Sequence, residues 1–421
     1  MRVLWITNIL FPEVMEKLTG DKDLKATGGW MLGAADALLA HDGVTLYVAS
    51  VSPLVKELTY VEGEKIRYYV IPDGSGNLKI NPEYQPYWKQ IASEVSPDVV
   101  HIHGTEYSHG HAYMKACGFD DVVISLQGLK SEICKHYLAG LTKGEILRNF
   151  TLRDMLRGSI LKEQSRFRTS AEYEREMISM SGHVIGRTSW DKTVSTAINP
   201  RVHYHFCNEI LRDSFYDGTV WDYSKCARHT IFLSQAGYPI KGLHQVLRAM
   251  PGILKEFPDT RIRVAGADIT KCDTFHDFIR LSGYGKYIKR LVRKLNLQGK
   301  VIFTGNLNAE QMKREYLLSN VFVCPSSIEN SPNSLGEAQI MGVPCVASRV
   351  GGVADMMKGN EDNLYDFEDV DALAGKVCKI FNDGEAQLSM VKVASERHDR
   401  TTNSRRLLDI YNSIISDTDE I

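Results

Sequence analysis

The sequence predicts an α/β protein made of two doubly wound domains facing each other across a cleft. Three observations predict it. Short apolar, β-branched runs alternate with amphipathic helical stretches along most of the chain, the pattern of parallel sheets covered by helices. That rhythm dissolves from Val202 to Tyr223 and then restarts, which marks a boundary. A length of 421 residues also exceeds what one hydrophobic core usually holds. The reading gives a first domain over 1–205, a second over 206–394 and a separate final helix over 395–421.

Composition narrows the class. Apolar content of 43%, charged content of 24% and a formal net charge of -2 are those of a soluble globular protein, with no general basic surplus for nucleic acid. The eight cysteines contain no C-x-x-C pair, and Cys324 and Cys345 lie inside apolar runs where Cys acts as a small hydrophobe. This pattern predicts a reduced, cytoplasmic setting. The opening MRVLWITNILFP lacks a small-residue cleavage site and reads as a first strand. No window is long and apolar enough for a membrane-spanning helix, so membrane association is expected only as a peripheral contact at the inner face.

In the first domain, Val3 to Thr7 is a strand and the loop after it runs to Gly28-Gly29. A helix follows, with Met31, Leu32, Ala35, Leu38 and Leu39 at helical spacing, and then a strand from Val44 to Ser50. The glycine pair allows backbone to approach a ligand at the strand's carboxyl end, or is a simple turn. The lack of G-x-G-x-x-G argues against a dinucleotide fingerprint. After a strand at Ile66–Ile71 and a helix at Pro82–Val95, the run Pro97–Gly104 is a strand ending in polar groups. His101 and His103 alternate with Val100 and Ile102, so both imidazoles point to one face. His103 stands at the strand end, within reach of a ligand or buried and hydrogen-bonded. Of His101, His103, His109 and His111, two lie on the strand and two beyond it with no Cys nearby, so zinc is not expected.

A strand at Val122–Leu126 ends at Gln127-Gly128. The stretch Lys143–Met180 reads as the most basic helical segment, with Arg148, Arg153, Arg157 and Arg166 among its cations. The plain reading is a solvated helix of the first domain. The sharper one is a surface for an anionic lipid or polyphosphate carrier. His183–Gly186 returns to strand, and Thr188 caps the helix after it.

The second domain repeats the rhythm through strands at His229–Ser234, Ile262–Ala265, Val301–Thr304 and Val321–Cys324. Its chemistry is concentrated in Pro325–Met357. A polar loop carrying Glu329 leads into a helix whose first amides, those of Asn333, Ser334, Leu335 and Gly336, suit an anionic group. Glu337 sits in the first turn, with the chemistry to hold a ribose diol. Lys241, in Tyr238-Pro239-Ile240-Lys241-Gly242, is the best cation for a diphosphate, and Glu329 is free to bind sugar hydroxyls. Alone, the two glutamates would be a capping carboxylate and a dipole-complementing one.

Glu329 through Glu337, then Gly342-Val343-Pro344-Cys345-Val346-Ala347-Ser348 and Gly351-Gly352, resemble the signature of family 4 retaining glycosyltransferases. Lys241-Gly242 resembles that family's lysine motif, and Gly28-Gly29 its first-loop glycines. The resemblance implies the two-domain GT-B fold of Rossmann-like domains, with a C-terminal helix returning to the first domain. It implies a nucleotide-sugar donor, a glycan, lipid-linked or small-molecule acceptor, retained configuration and no metal or other cofactor. Carried over, Glu337 holds the ribose, Glu329 the sugar, Lys241 the departing diphosphate, and Gly29 brings an amide near the phosphate or sugar.

Two departures stand out. The family's arginine before the lysine is absent from Leu233-Ser234-Gln235-Ala236-Gly237, and Gln127 stands where the family often has a histidine. Gln can hydrogen-bond an acceptor but cannot act as a base, leaving His103 to compensate on the acceptor side. A catalytically silent subunit that binds nucleotide-sugar or glycan is therefore the alternative reading.

Overall fold

The computed structural model describes residues 1–21, 29–73 and 83–419. Two compact units emerge, one from residues 1–131, 168–212 and 398–421, the other from residues 132–167 and 213–397.

The first unit contains an eight-stranded sheet: β1 (Arg2–Thr7), β2 (Thr45–Ser52), β3 (Thr59–Glu62), β4 (Ile66–Pro72), β5 (Val99–His103), β6 (Val122–Ser125), β7 (His183–Gly186) and β8 (His203–Phe206). Its order is β3-β4-β2-β1-β5-β6-β7-β8, and only the β3–β4 pair is antiparallel. β1 and β5 are buried on both faces because helices cover both, as a central parallel strand requires, although β5 presents His101 and His103 on one of them. One layer packs Leu4, Ile6, Val100 and Ile102 against Trp88 and Ile91. The other packs Val3, Trp5 and Val99 against Ala35, Leu38, Tyr411 and Ile414. The final helix, Arg400–Asp419, is thus part of the first unit.

The second unit contains a six-stranded, wholly parallel sheet: β9 (Ala227–Leu233), β10 (Arg261–Val264), β11 (Val301–Phe303), β12 (Ser319–Cys324), β13 (Cys345–Ser348) and β14 (Leu364–Tyr365), ordered β11-β10-β9-β12-β13-β14. Two doubly wound α/β sheets are therefore present, as the alternation of strand and helix predicts.

Three local expectations are corrected. Residues 203–206, read as irregular, form edge strand β8; their alternating His, Tyr, His, Phe give little apolar signal. Lys143–Met180 is not one helix but three, at Lys143–Arg148, Leu152–Arg157 and Ile160–Met180. Thr151 caps the middle one, and Gly158, at φ 111°, ends it. Residues 132–167 also join the second unit rather than the first. Leu141 and Ile146 are buried in its core, and His244 Nε2 lies 2.8 Å from the Ala139 carbonyl.

Candidate active site

The strand order of the second sheet builds its site. β9 and β12 are neighbours, so the loops leaving their carboxyl ends lie side by side. After β9, a turn of 3₁₀ helix at Pro239–Lys241 closes on Gly242 at φ 69°. A Cβ on Gly242 would lie 1.7 Å from the Pro325 carbonyl oxygen, so glycine is required there. The Ser327 amide donates to the Ile240 carbonyl at 2.8 Å, locking the two loops together.

This brings together Lys241 and Glu329, which lie far apart in the chain. They form a direct ion pair between Nζ and Oε1, each side chain only 15% exposed. Ser326 Oγ donates to the same Oε1 at 2.8 Å. Burial pulls the Lys241 ammonium down, but the Glu329 carboxylate and Tyr238 outweigh it and hold the pKa above the ordinary lysine value. Lys241 is a fixed cation at neutral pH. The expectation that Glu329 is free for sugar hydroxyls is corrected: its Oε1 is committed to Lys241 and Ser326, while Oε2 has no partner among the described residues.

The loop after β13 grips Glu329 from behind. The Gly352 amide donates to its carbonyl at 3.1 Å, and a Cβ on Gly351 would lie 2.0 Å from that oxygen. The second glycine pair thus serves close backbone packing. Ser348 Oγ donates to the Ser326 carbonyl at 2.5 Å and completes the brace.

The helix after the polar loop is Asn333–Ile340, with Glu337 buried on it. Tyr316 Oη reaches Glu337 Oε2 at 3.3 Å and the Ser334 carbonyl at 3.0 Å. Leu335, predicted to offer its amide to an anion, instead donates to the Pro332 carbonyl at 2.9 Å, because the helix opens with a tight turn. Gly336 also donates to Pro332. Two of the four amides are therefore committed within the turn.

The first unit holds a different site, at the carboxyl end of β5. His101 and His103 stack with ring centroids 3.8 Å apart, on one face as the alternation predicts. His101 is satisfied: its Nδ1 lies 2.6 Å from Tyr411 Oη, its Nε2 2.5 Å from Ser125 Oγ, and Trp5 Nε1 donates to the same Tyr411 oxygen at 2.9 Å. A chain running from Trp5 through Tyr411 and His101 to Ser125 satisfies every group if His101 is neutral, and burial does lower its pKa.

His103 is not satisfied. It is 6% exposed, and neither ring nitrogen has a hydrogen-bond partner among the described residues. It faces a cavity of about 50 Å³ lined by Trp5, Trp30, Gln127, Asn208, Glu209 and Ser404, among others. Asn208 Oδ1 is likewise buried with no hydrogen-bond partner among the described residues. Burial depresses the His103 pKa to about 3, so it is neutral near pH 7 and offers one donor and one acceptor. A base that weak is poorly matched to proton abstraction, and hydrogen bonding to a hydroxyl suits it better.

Gln127 does line this cavity, and Arg187 holds the loop that carries it. The buried Arg187 donates from Nη2 to the Leu126 carbonyl at 2.8 Å, and its Nη1 pairs with Glu209. Glu106 accepts the Gly128 amide at 2.8 Å from the other side. Arg187, Asn208 and Glu209 escape a sequence reading because two of them fall in the stretch that looks irregular. The one available signal is an arginine directly after an apolar strand. Gly29 opens the helix Gly29–Leu39, and Gly28 lies outside the described residues.

The profile of the family described as "Glycosyl transferases group 1" matches residues 227–397, the stretch holding Lys241, Glu329 and Glu337. Over these residues, less than half of its length, the chain is similar to that family. A D-inositol 3-phosphate glycosyltransferase of Corynebacterium urealyticum is 25% identical over 187 residues, 42% of this chain and 41% of the relative. The chain thus matches less than half the length of that relative. Among solved structures, a sucrose-phosphate synthase from Thermosynechococcus elongatus superposes with a TM-score of 0.69 at 16% identity, covering 99% of both chains. The Anabaena HepE protein in complex with UDP-glucose gives 0.61 at 13%, covering 98% of this chain and all of that one. The fold is GT-B. Among the described residues no helix is long and apolar enough to cross a membrane.

Proposed function

We propose that this protein is a retaining glycosyltransferase acting on a nucleotide-sugar. The observation that carries the reading is the braced Lys241–Glu329 pair beside the helix bearing Glu337, all within the family stretch. In this reading the donor diphosphate displaces Glu329 from Lys241. The lysine then faces the leaving phosphate and the glutamate turns to sugar hydroxyls, while Glu337 holds the ribose diol.

Transfer breaks the bond between the anomeric carbon and the diphosphate oxygen and forms one to an acceptor oxygen. Without a suitable base, the acceptor proton passes to the departing diphosphate on the same face, which gives retention. The main catalytic task is then to stabilise charge on the leaving group, and a fixed ammonium does so without reorganising. No metal enters this scheme. The His103 cavity of the first unit, with Gln127, receives an acceptor hydroxyl. The acceptor is a glycan, lipid-linked sugar or small molecule, and surface polysaccharide synthesis is the setting we favour.

The test is release of nucleoside diphosphate from a panel of UDP-, GDP- and ADP-sugars, with the product anomer read by NMR. Slow donor hydrolysis without acceptor, and an α-donor giving an α-product, are expected. A protein that binds a donor, shown by a raised melting temperature, but never releases diphosphate is a silent binding subunit and overturns the reading.

A further inference from the structure

The segment 143–157 and its neighbours in the second unit present a surface that neither the donor site nor the core uses. Leu147, Phe150, Met155 and Leu156 stand exposed within ten residues, Leu156 at 65%. The helix Leu152–Arg157 packs against the helix Phe275–Arg280, where Phe275 is 78% exposed and Phe278 is exposed too. Single exposed apolar groups are ordinary, but six large ones on touching elements form a patch that calls for a partner.

The rim of this patch is cationic. The helix Gly283–Lys294 buries Tyr284, Tyr287, Ile288 and Leu291 and carries five cations and no acid on its sequence GYGKYIKRLVRK. It is tied to the patch: Lys286 Nζ donates to the Phe150 carbonyl at 3.1 Å, and Arg290 lies against Arg148 and Asn149. Among the described residues, Arg153, Arg157, Lys289 and Arg293 form no ion pair, in a chain whose formal net charge is -2. The acidic residues nearby are largely committed. Asp154 bonds the Thr151 and Gly283 amides, Glu145 faces Arg248, and Asp277 faces Lys271; Asp268, which accepts from Thr270, and Asp273 stand exposed.

We infer that this face docks on an anionic lipid surface, with Met155, Leu156 and Phe275 entering the acyl boundary and the flanking cations meeting the headgroups. Charge decides the occupant. A symmetric contact with a second copy would set these same-sign rims against each other, whereas a phosphate-bearing surface complements apolar centre and basic rim together. The inference is independent of the transfer reaction.

The experiment is flotation of the full chain with vesicles of pure phosphatidylcholine and of phosphatidylcholine mixed with phosphatidylglycerol. Binding to the anionic vesicles, weakening as salt rises, is expected. Leu156→Glu with Met155→Glu should cut that binding at least roughly tenfold by removing apolar insertion. Lys289→Glu with Arg293→Glu should cut binding to anionic vesicles and its salt dependence together. Both pairs are on the surface, and unchanged donor hydrolysis and melting temperature would show intact folding. Failure of the wild-type chain to float, or flotation unaffected by both pairs, overturns the inference. So does a lipid-free dimer that the Leu156→Glu pair dissolves, since a second copy would then occupy the face.

Discussion

Lys241 and His103 occupy comparable places, each at or just beyond the carboxyl end of an interior parallel strand, yet their environments are opposite. Lys241 is buried beside a carboxylate and stays charged; His103 is buried beside aromatic rings and another imidazole and stays neutral. The same desolvation acts on both. What differs is the partner, which decides whether the charged or the uncharged form survives burial. A charged site suits a diphosphate and a neutral one suits a hydroxyl, so the contrast matches the division into donor and acceptor sides proposed above.

The sharpest way to break this comparison is Lys241→Ala. If the lysine is the main cation for the leaving diphosphate, turnover at saturating donor falls on the order of 10²–10³-fold, by the scale of losing one oxyanion donor. The variant also strands Glu329, so its melting temperature should drop. Near-normal turnover would remove Lys241 from the chemistry.

The next effect is on acid stability. His103 is depressed to about 3, and His109 and His205 to about 4, mainly by burial in the first unit. An unfolded chain protonates these groups near pH 6.5 while the folded one does not. Their contribution is therefore intact above about pH 6.5 and is lost as pH falls towards 4, by up to several kcal/mol. The second unit has His244 in a similar state, also near 4, but no comparable group of them. Hydrogen exchange followed down this range should show the first unit losing protection first, and the reverse order would refute the contrast.

The smallest effect belongs to His103→Phe. Losing one neutral hydrogen bond should raise the acceptor KM by about tenfold or less and leave the donor KM alone. A bell-shaped pH profile that His103→Phe abolishes would instead make His103 a base, against its depressed pKa.

Much of this was legible in the chain. The alternation of apolar strands and amphipathic helices is a local property, so periodicity places most elements within a few residues, and Thr188 marks its helix through a full capping box. Residue type at a strand end points to Lys241, Glu329, Glu337 and His103 for the same reason: chemistry in parallel α/β folds collects at carboxyl ends. What periodicity does not hold is pairing. Lys241 meets Glu329 across 88 residues because β9 and β12 are adjacent and their loops interlock. The tight first turn that occupies the Leu335 amide is set by Pro332 and its loop, and no spacing rule announces it. His103 becomes an unsatisfied group only when residues 207–210 and the final helix close over it, and residues 132–167 join the second unit because Leu141 and Ile146 fill its core. By itself, the sequence determined which groups were available and on which local elements they sit, since that depends on neighbours in the chain. Which groups meet, which are buried alone and which face solvent was decided by strand order and loop closure, contacts between residues far apart in sequence.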